Sequence, residues 1–274
     1  MKNLFVRTIT GTVYVAAIIG CIVAGRYFAF ALFAMVLIIT VYEFFKMCLK
    51  KNITPQVVPN IIISVFIYAL FFLTENNIID DKFRIILIPL GLVVPVIEIF
   101  RQKQNPVQNI AFTLLAIIYF ALPLSIFNMA LTPYASQPEI YKPEILIGLF
   151  VIIWLNDTGA YLVGSLLGKH KMAEKISPNK TWEGTFGGAL LGMIVSLIFF
   201  RYFEYFNTIQ IIIIALAVIV AGTFGDLTES LIKRNFEVKD SGTLLPGHGG
   251  FFDRFDSLLF AAPVYYALIS LFLK

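Results

Sequence analysis

Three aspartates near the carboxyl-terminal end of the sequence are spaced so that two helices could bring them together. If the first of the two segments is helical, Asp226, Ser230 and Lys233 lie on one face of it. Asp253 and Asp256 stand three residues apart at the start of the last apolar segment and would also be helix neighbours. Carboxylate oxygens suit Mg²⁺, and a few of them suffice when substrate phosphates and water complete the coordination. The spacing therefore indicates a divalent-cation site that acts on a phosphorylated substrate.

Basic residues and a glycine-rich turn accompany these aspartates. Lys233, Lys239 and Arg254 could balance the charge of a polyphosphate and of its leaving group. The turn Pro246-Gly247-His248-Gly249-Gly250 lets the backbone approach a ligand closely, because glycine lacks a side chain. For His248, hydrogen bonding to a phosphate or holding the turn is favoured over proton transfer. Zinc is disfavoured, since this stretch has no cysteine and no second histidine.

Another polar group of residues interrupts an apolar helix further upstream. Asn156 and Asp157 fall in the middle of this helix, where a carboxylate costs roughly 2.5–3.5 kcal/mol on insertion scales. Small and polar residues follow on the same face, which permits close helix packing. Two interpretations stay open: a functional lining, and a polar packing seam in which Asp157 is protonated or paired.

The segment after this helix is rich in lysine and contains a helix-start signal. Ser177 is a suitable N-cap and Pro178 a suitable first helical residue, so a helix is predicted to begin there. The amino terminus of a helix beside Lys180 would bind an anion such as phosphate. The alternative is that the lysines of this segment only contact lipid headgroups.

The rest of the 274-residue chain is strongly apolar: 59% of its residues are hydrophobic and 14% are charged. Soluble domains carry about 25% charged residues, so water is not the main solvent here. Backbone groups in lipid must be satisfied within their own segment, which makes membrane-crossing segments helical. The predicted fold class is all-α, a polytopic transmembrane bundle of about nine membrane-spanning helices. The apolar blocks are 9–25, 28–49, 58–73, 84–100, 108–131, 145–167, 185–201, 208–230 and 255–273.

The connections between these blocks alternate in charge. One set, which includes the amino terminus, carries 15 of the 21 basic residues. By the positive-inside bias this set is cytoplasmic, so the amino terminus lies inside and the carboxyl terminus outside. Loops 168–184 and 231–254 then both open on the cytoplasmic side. The net charge of +4 is explained by this topology and by a phosphate-binding surface, and does not indicate nucleic-acid binding.

The composition of the chain changes near residue 140. Residues 1–140 predict transmembrane helices that form a scaffold and face lipid, whereas residues 141–274 predict a catalytic transmembrane region containing both cytoplasmic loops. Glu43 and Glu98 fall near the cytoplasmic ends of helices in the first region. An interfacial or helix-pairing role is favoured for them over catalysis.

The sequence resembles the phosphatidate cytidylyltransferase (CDP-diacylglycerol synthase) family. The family signature has the form S-x-x-K-R-x-x-x-x-K-D-x-G-x-x-x-P-x-H-G-G-x-x-D-R-x-D, and residues 230–256 fill every specified place. The upstream stretches N-D-T-G-A-Y and S-P-N-K-T-W-E-G also resemble this family. Close resemblance covers roughly residues 154–257, and the first 140 residues match only in hydropathy.

The resemblance implies that CTP and phosphatidic acid are joined to give CDP-diacylglycerol and pyrophosphate. It also implies Mg²⁺, leaves a second cation open, and indicates a homodimer surrounded by lipids in a bacterial inner (cytoplasmic) membrane, with the active site facing the cytoplasm. The lipid phosphate is already an anion, so positioning and charge stabilisation would dominate catalysis.

Roles follow for the residues of the motifs. The predicted metal ligands are Asp226, Asp253 and Asp256, and the predicted catalytic set adds Lys233, Lys239 and His248. The predicted phosphate-binding residues are Lys180, Ser230, Lys233, Arg234, Lys239, Gly249, Gly250 and Arg254. Residues without an assigned contact to metal or substrate are Asn156, Asp157, Ser177 and Asp240.

Two rival functions stand beside this interpretation. An ion-coupled transporter could use Asp157 and Asp226 as a relay for protons or sodium, although the paired half-repeats typical of transporters are not evident. A transferase that uses CDP-activated lipid would need a D-x-x-D-G-x-x-A-R type of carboxylate cluster, which the chain lacks.

Overall fold

The protein is a polytopic helical membrane protein, which confirms the predicted fold class. The computed structural model describes residues 2–130, 141–247 and 249–273. Ten α-helices occur in these residues: α1 (Lys2–Ala24), α2 (Arg26–Leu49), α3 (Val57–Glu75), α4 (Leu87–Arg101), α5 (Pro106–Ala116), α6 (Leu122–Met129), α7 (Pro143–Leu167), α8 (Trp182–Phe203), α9 (Thr208–Asn235) and α10 (Phe252–Phe272). A 3-10 turn (Asp81–Ile86) leads into α4, and a π-helical turn (Ile117–Ala121) joins α5 to α6.

Each apolar block of the sequence corresponds to helical structure. Within the described residues, eight helical segments are long and apolar enough to cross a membrane, and α4 and α5–α6 count with their short helical turns. The remaining block, 9–25, falls in α1, whose apolar part Thr8–Ala24 is shorter.

The chain forms two compact units. The first contains residues Met1–Tyr141 and Asn235–Phe255, and the second contains Lys142–Arg234 and Asp256–Lys274. The chain passes from one unit to the other just before α7, at the end of α9 and at the first turn of α10. The functional division of the chain near residue 140 stays a prediction.

The first unit has an aromatic core with a buried polar centre. Phe120 lies against Phe44 and Phe252, with ring centroids 5.4 and 4.9 Å apart. Beside these helices, the buried carboxylate of Glu98 accepts hydrogen bonds from Gln56 Nε2 (2.8 Å) and Asn109 Nδ2 (2.7 Å). It also pairs with Arg101 Nη1 at 2.6 Å. These bonds join α4 to α5 and to the residue preceding α3, and they offset the cost of burying the carboxylate.

The second unit depends on close packing of α7 against α8. Glycine faces glycine along this contact: a Cβ added to Gly159 would lie 2.9 Å from Cα of Gly188. A Cβ on Gly188 would in turn lie 2.9 Å from Cβ of Ala160 and closer still to the carbonyl oxygen of Asn156. Small residues let the two backbones approach closely. In lipid, helices associate through such van der Waals contacts, because no water is released from their apolar surfaces.

The helix predicted to begin at Ser177 does not begin there. Strand β1 (Lys171–Ala173) pairs antiparallel with β2 (Ser177–Thr181), and α8 starts at Trp182. Thr181 is the actual N-cap: its side-chain oxygen accepts a hydrogen bond from the backbone N–H of Gly184 at 3.2 Å. The Ser-Pro signal failed because residues 177–181 pair with β1 instead of starting a helix. The capping hydrogen bond is made four residues later, by Thr181.

The glycine seam gives a stability prediction. Gly188→Ala should lower the midpoint of thermal unfolding in detergent, because overpacking a filled contact costs about 1–3 kcal/mol. Gly91→Ala in α4 is the matched control, since a Cβ there meets nothing within 4 Å. Equal midpoints for the two variants would contradict the seam.

Candidate functional site

Three carboxylates of the second unit form a compact cluster. Asp226 and Glu229 on α9 and Asp256 on α10 each offer an oxygen within 4.8 Å of the others. The cluster forms because the two helices touch at Gly225, where an added Cβ would lie 2.6 Å from the carbonyl oxygen of Asp256. The same Cβ would lie 3.2 Å from Cβ of Phe260. A side chain larger than hydrogen at this position would therefore separate the acids.

Two lysines and a serine contact the cluster. Lys180 Nζ lies 2.6 Å from Asp226 Oδ2, and Lys233 Nζ lies 2.8 Å from Glu229 Oε2. The second pair is an i, i+4 pair within α9, with the acid on the amino-terminal side, which is the favourable order. Ser230 Oγ lies 3.5 Å from Asp226 Oδ1, at the limit of a hydrogen bond. Glu229 itself is buried, with 1% of its surface exposed.

A cleft of roughly 250 Å³ in the same unit opens onto Asp226. It places Asp157 of α7 and Lys180 of the hairpin beside that carboxylate. The lining residues are Asn156, Asp157, Ala160, Tyr161, Asn179, Lys180, Thr181, Gly184, Thr185, Thr223, Asp226 and Ser257. Asp157 therefore lies in the wall of a polar cleft, although its role as a functional residue stays a prediction.

The donor set fits a hard divalent cation. Asp157 and the three acids of the cluster lie close together, so a bound cation would relieve their mutual repulsion. All the candidate ligands are carboxylate oxygens, which suit Mg²⁺ or Ca²⁺ better than the softer metals that prefer sulfur and nitrogen.

Asp253 occupies a different environment, in the first unit. Its carboxylate accepts hydrogen bonds from the backbone N–H of Gly250 at 2.7 Å and of Ser241 at 3.0 Å. These bonds join the first turn of α10 to the segment 236–251, which we call the signature loop. Since Asp253 and Asp226 belong to different units, their binding of one shared metal ion stays a prediction.

Several predicted phosphate-binding residues lie in the signature loop or in the first turn of α10 that follows it. Lys239, Asp240, Gly249 and Arg254 line a cleft of roughly 450 Å³ within the first unit. The backbone of Gly249 has a φ of 85°, a left-handed conformation that explains glycine at this position. His248 lies outside the described residues. In the second unit, Arg234 Nε donates to the carbonyl oxygen of Ile176 at 3.3 Å.

Comparison with known proteins identifies the family. A model of the cytidylyltransferase family matches residues 5–272. The chain belongs to the cytidylyltransferase family. The family match confirms the resemblance found in the sequence.

Individual bacterial relatives agree with this family. The chain is 37% identical over 179 residues to a Staphylococcus epidermidis protein named phosphatidate cytidylyltransferase, covering 65% of this chain and 66% of the relative. Proteins of the same name from Staphylococcus aureus and Staphylococcus haemolyticus are 39% and 35% identical over the same shares of length. The chain thus spans just under two thirds of the curated relatives it matches.

Two glutamates with contacts in the second unit were not predicted from the sequence. Glu229 joins the acidic cluster, and its position three residues after Asp226 and four before Lys233 was the available signal. Glu183 accepts hydrogen bonds from the backbone N–H groups of Lys169 (3.1 Å) and His170 (3.2 Å). It also contacts His170 Nδ1 at 2.5 Å and so ties the start of the hairpin to α8.

The acidic cluster predicts cation binding without nucleotide. Mn²⁺ titrated into purified protein and followed by electron paramagnetic resonance should bind, and Asp256→Asn or Glu229→Gln should weaken binding about tenfold or more because each removes a carboxylate ligand. Glu144→Gln is the control, since the Glu144 carboxylate in the same unit is bonded by Tyr205 rather than by the cluster. Unchanged affinity in both cluster variants would contradict the assignment.

Proposed function

We propose that this protein is a phosphatidate cytidylyltransferase, which transfers the cytidylyl group of CTP to phosphatidic acid and releases pyrophosphate. The observation that carries this proposal is the polar cleft of the second unit, where Lys180 pairs with Asp226 beside a three-carboxylate cluster. Membership of the cytidylyltransferase family and the name shared by the staphylococcal relatives support it.

Asp226, Glu229 and Asp256 would hold Mg²⁺, with or without a second cation. When bound, the metal would supply positive charge to the phosphates of CTP and to the departing pyrophosphate. Asp226 shares its carboxylate with Lys180, so the lysine would orient this ligand and remain close enough to contact a phosphate oxygen. Asp253 is proposed as a further ligand on the strength of the family signature.

The attacking group needs no activation by a side chain. A phosphate monoester is ionised at neutral pH, and its oxygen attacks the α-phosphorus of CTP as the bond to the β-phosphate oxygen breaks. The tasks left to the protein are to align the two phosphates and to stabilise the charge of pyrophosphate. Lys180 and Lys233 are proposed for these tasks in the second unit, together with Ser230 and Arg234. Lys239, Gly249, Gly250 and Arg254 of the first unit are proposed for phosphate binding from the family signature.

The membrane setting suits a lipid substrate. We propose that the acyl chains stay in the bilayer while the headgroup enters a polar cleft. The excess of basic residues in one set of loops supports an inner-membrane protein whose amino terminus and active site face the cytoplasm. A homodimer is proposed from the family resemblance, and nucleic acid is not a proposed partner.

Lys180 gives a direct test of the cleft. Lys180→Met should lower kcat roughly 100-fold, the usual effect of losing one charged group that stabilises a transition state. Lys175→Met changes a lysine in the turn of the same hairpin that does not line the cleft, and it should retain activity within about twofold. Comparable losses in both variants would indicate a general effect of basic charge.

The activity itself is tested with purified protein in detergent, phosphatidic acid, labelled CTP and Mg²⁺. Label should pass into the lipid extract, and Asp226→Asn and Asp253→Asn should abolish this transfer. Turnover in Asp253→Asn equal to that of the unaltered protein would exclude Asp253 as a metal ligand. Absence of transfer from any nucleotide, together with proton-driven solute uptake in vesicles, would replace the proposal with the transporter.

A further inference from the structure

We infer that Glu43, a buried residue near the end of α2, is a positioning residue that fixes the signature loop and the first turn of α10. This glutamate lies on α2, about 200 residues away in sequence from the loop, and only 2% of its surface is exposed. The inference concerns a residue outside the family signature. Its consequence for catalysis rests on the proposed function, whereas its effect on the loop does not.

Three hydrogen bonds connect the Glu43 carboxylate to the loop and helix. Oε2 accepts from Ser241 Oγ at 3.1 Å and from the backbone N–H of Phe252 at 3.0 Å. Oε1 accepts from the backbone N–H of Phe251 at 3.1 Å. The last two donors belong to the start of α10, where N–H groups have no partner within the helix. A negative group is favoured there because the helix dipole is positive at its amino terminus.

The glycines of the loop make room for this carboxylate. A Cβ added to Gly242 would overlap Oε1 of Glu43, and one added to Gly250 would lie 2.5 Å from Oε2. Two of the signature glycines are therefore explained by contact with Glu43 and not by contact with substrate alone.

Ser241 joins two carboxylates through different atoms. Its hydroxyl donates to Glu43, while its backbone N–H donates to Asp253 at 3.0 Å. Gly250 likewise donates its N–H to Asp253 and lies against Glu43. Glu43 thus reaches the residues that orient Asp253, which makes it a positioning residue for that aspartate.

A second polar contact, between the residues that follow α2 and the loop, is exposed. Lys51 contacts Glu237, and this lysine holds the pKa of the Glu237 carboxyl below its ordinary value. The Glu237 side chain is 78% exposed, so water and salt screen the pair and it contributes little. Buried Glu43 therefore makes the stronger polar attachment, because its hydrogen bonds are not in competition with water.

The test compares Glu43→Gln with Glu98→Gln. Both glutamates are buried in the first unit with several hydrogen-bond donors, but Glu98 bonds to Gln56, Arg101 and Asn109 and not to the loop. The carboxylate of Glu43 accepts all three hydrogen bonds, whereas the amide NH₂ group of glutamine cannot accept them. At least one of the donors would therefore lose its partner in Glu43→Gln. Amide hydrogen exchange of residues 239–252 should become at least about tenfold faster in Glu43→Gln and stay unchanged in Glu98→Gln.

Kinetics supply the second readout. With CTP and phosphatidic acid, kcat should fall about tenfold or more in Glu43→Gln and stay within about twofold in Glu98→Gln at a matched loss of thermal stability. Glu43→Asp, which keeps the charge on a shorter side chain, should recover part of the loss. If Glu43→Gln does not fold, Ser241→Ala removes one of the three bonds and should speed loop exchange by a smaller factor.

The inference would be overturned if amide exchange of the loop were unchanged in Glu43→Gln, or in Ser241→Ala where that variant is used instead. It would also be overturned if the loss of kcat followed the loss of thermal stability equally in Glu43→Gln and Glu98→Gln. A protein without any cytidylyl transfer would refute the proposed function alone, because the exchange measurement still decides whether Glu43 fixes the loop.

Discussion

A carboxylate buried among membrane-crossing helices must be given partners, and this requirement organises both units of the molecule. An acid in a membrane helix costs a few kcal/mol on insertion scales, roughly 2.5–3.5 for aspartate at the centre. In the first unit the protein itself supplies the partners: Glu98 has an arginine and two amides, and Glu43 has backbone N–H groups and a serine hydroxyl. These two acids connect helices and a loop.

In the second unit the balance differs. Lys180 and Lys233 each pair with one member of the acidic cluster, and the cleft adds Asp157 to the acids nearby. Acids that lie this close together repel one another, and a bound cation relieves that repulsion. The same lysines are suited to phosphate oxygens, so one set of charges can serve both the metal and the polyphosphate. The buried acids of the first unit are bonded to donors of the protein, whereas the acids of the second unit lie together as a candidate cation site.

Glycine determines where these acids can meet. Gly225 allows α9 to touch α10 at the carbonyl of Asp256, and Gly159 and Gly188 allow α7 to approach α8. In the first unit, Gly242 and Gly250 leave space for the Glu43 carboxylate. Without an apolar-surface driving force between helices in lipid, such close contacts carry much of the packing energy. Acids of both units therefore lie next to glycines at which a side chain would not fit.

Local sequence patterns predicted the helices well. An apolar segment long enough to cross a bilayer must form its backbone hydrogen bonds within itself, and a helix does so. They also indicated that Asp226 and Asp256 lie on two helices with lysines close by, since i, i+3 and i, i+4 spacing is local information. The hairpin at residues 171–181 was missed because its pairing depends on contacts between short polar segments. Glu43 was given an interfacial or helix-pairing role because its loop partners lie about 200 residues away, and no spacing rule reaches that far. Glu229 was passed over because helix geometry alone does not state which of two adjacent faces turns toward α10.

In the proposed function, the carboxylates of α9 and α10 would hold the divalent cation on which nucleotidyl transfer depends. The most direct measurement is anomalous diffraction from crystals of the protein grown with Mn²⁺ and a non-hydrolysable CTP analogue. A manganese peak is expected within about 2.5 Å of oxygens of Asp226, Glu229 or Asp256, next to the nucleotide phosphates. A bound nucleotide whose manganese lies away from all three carboxylates would contradict this expectation.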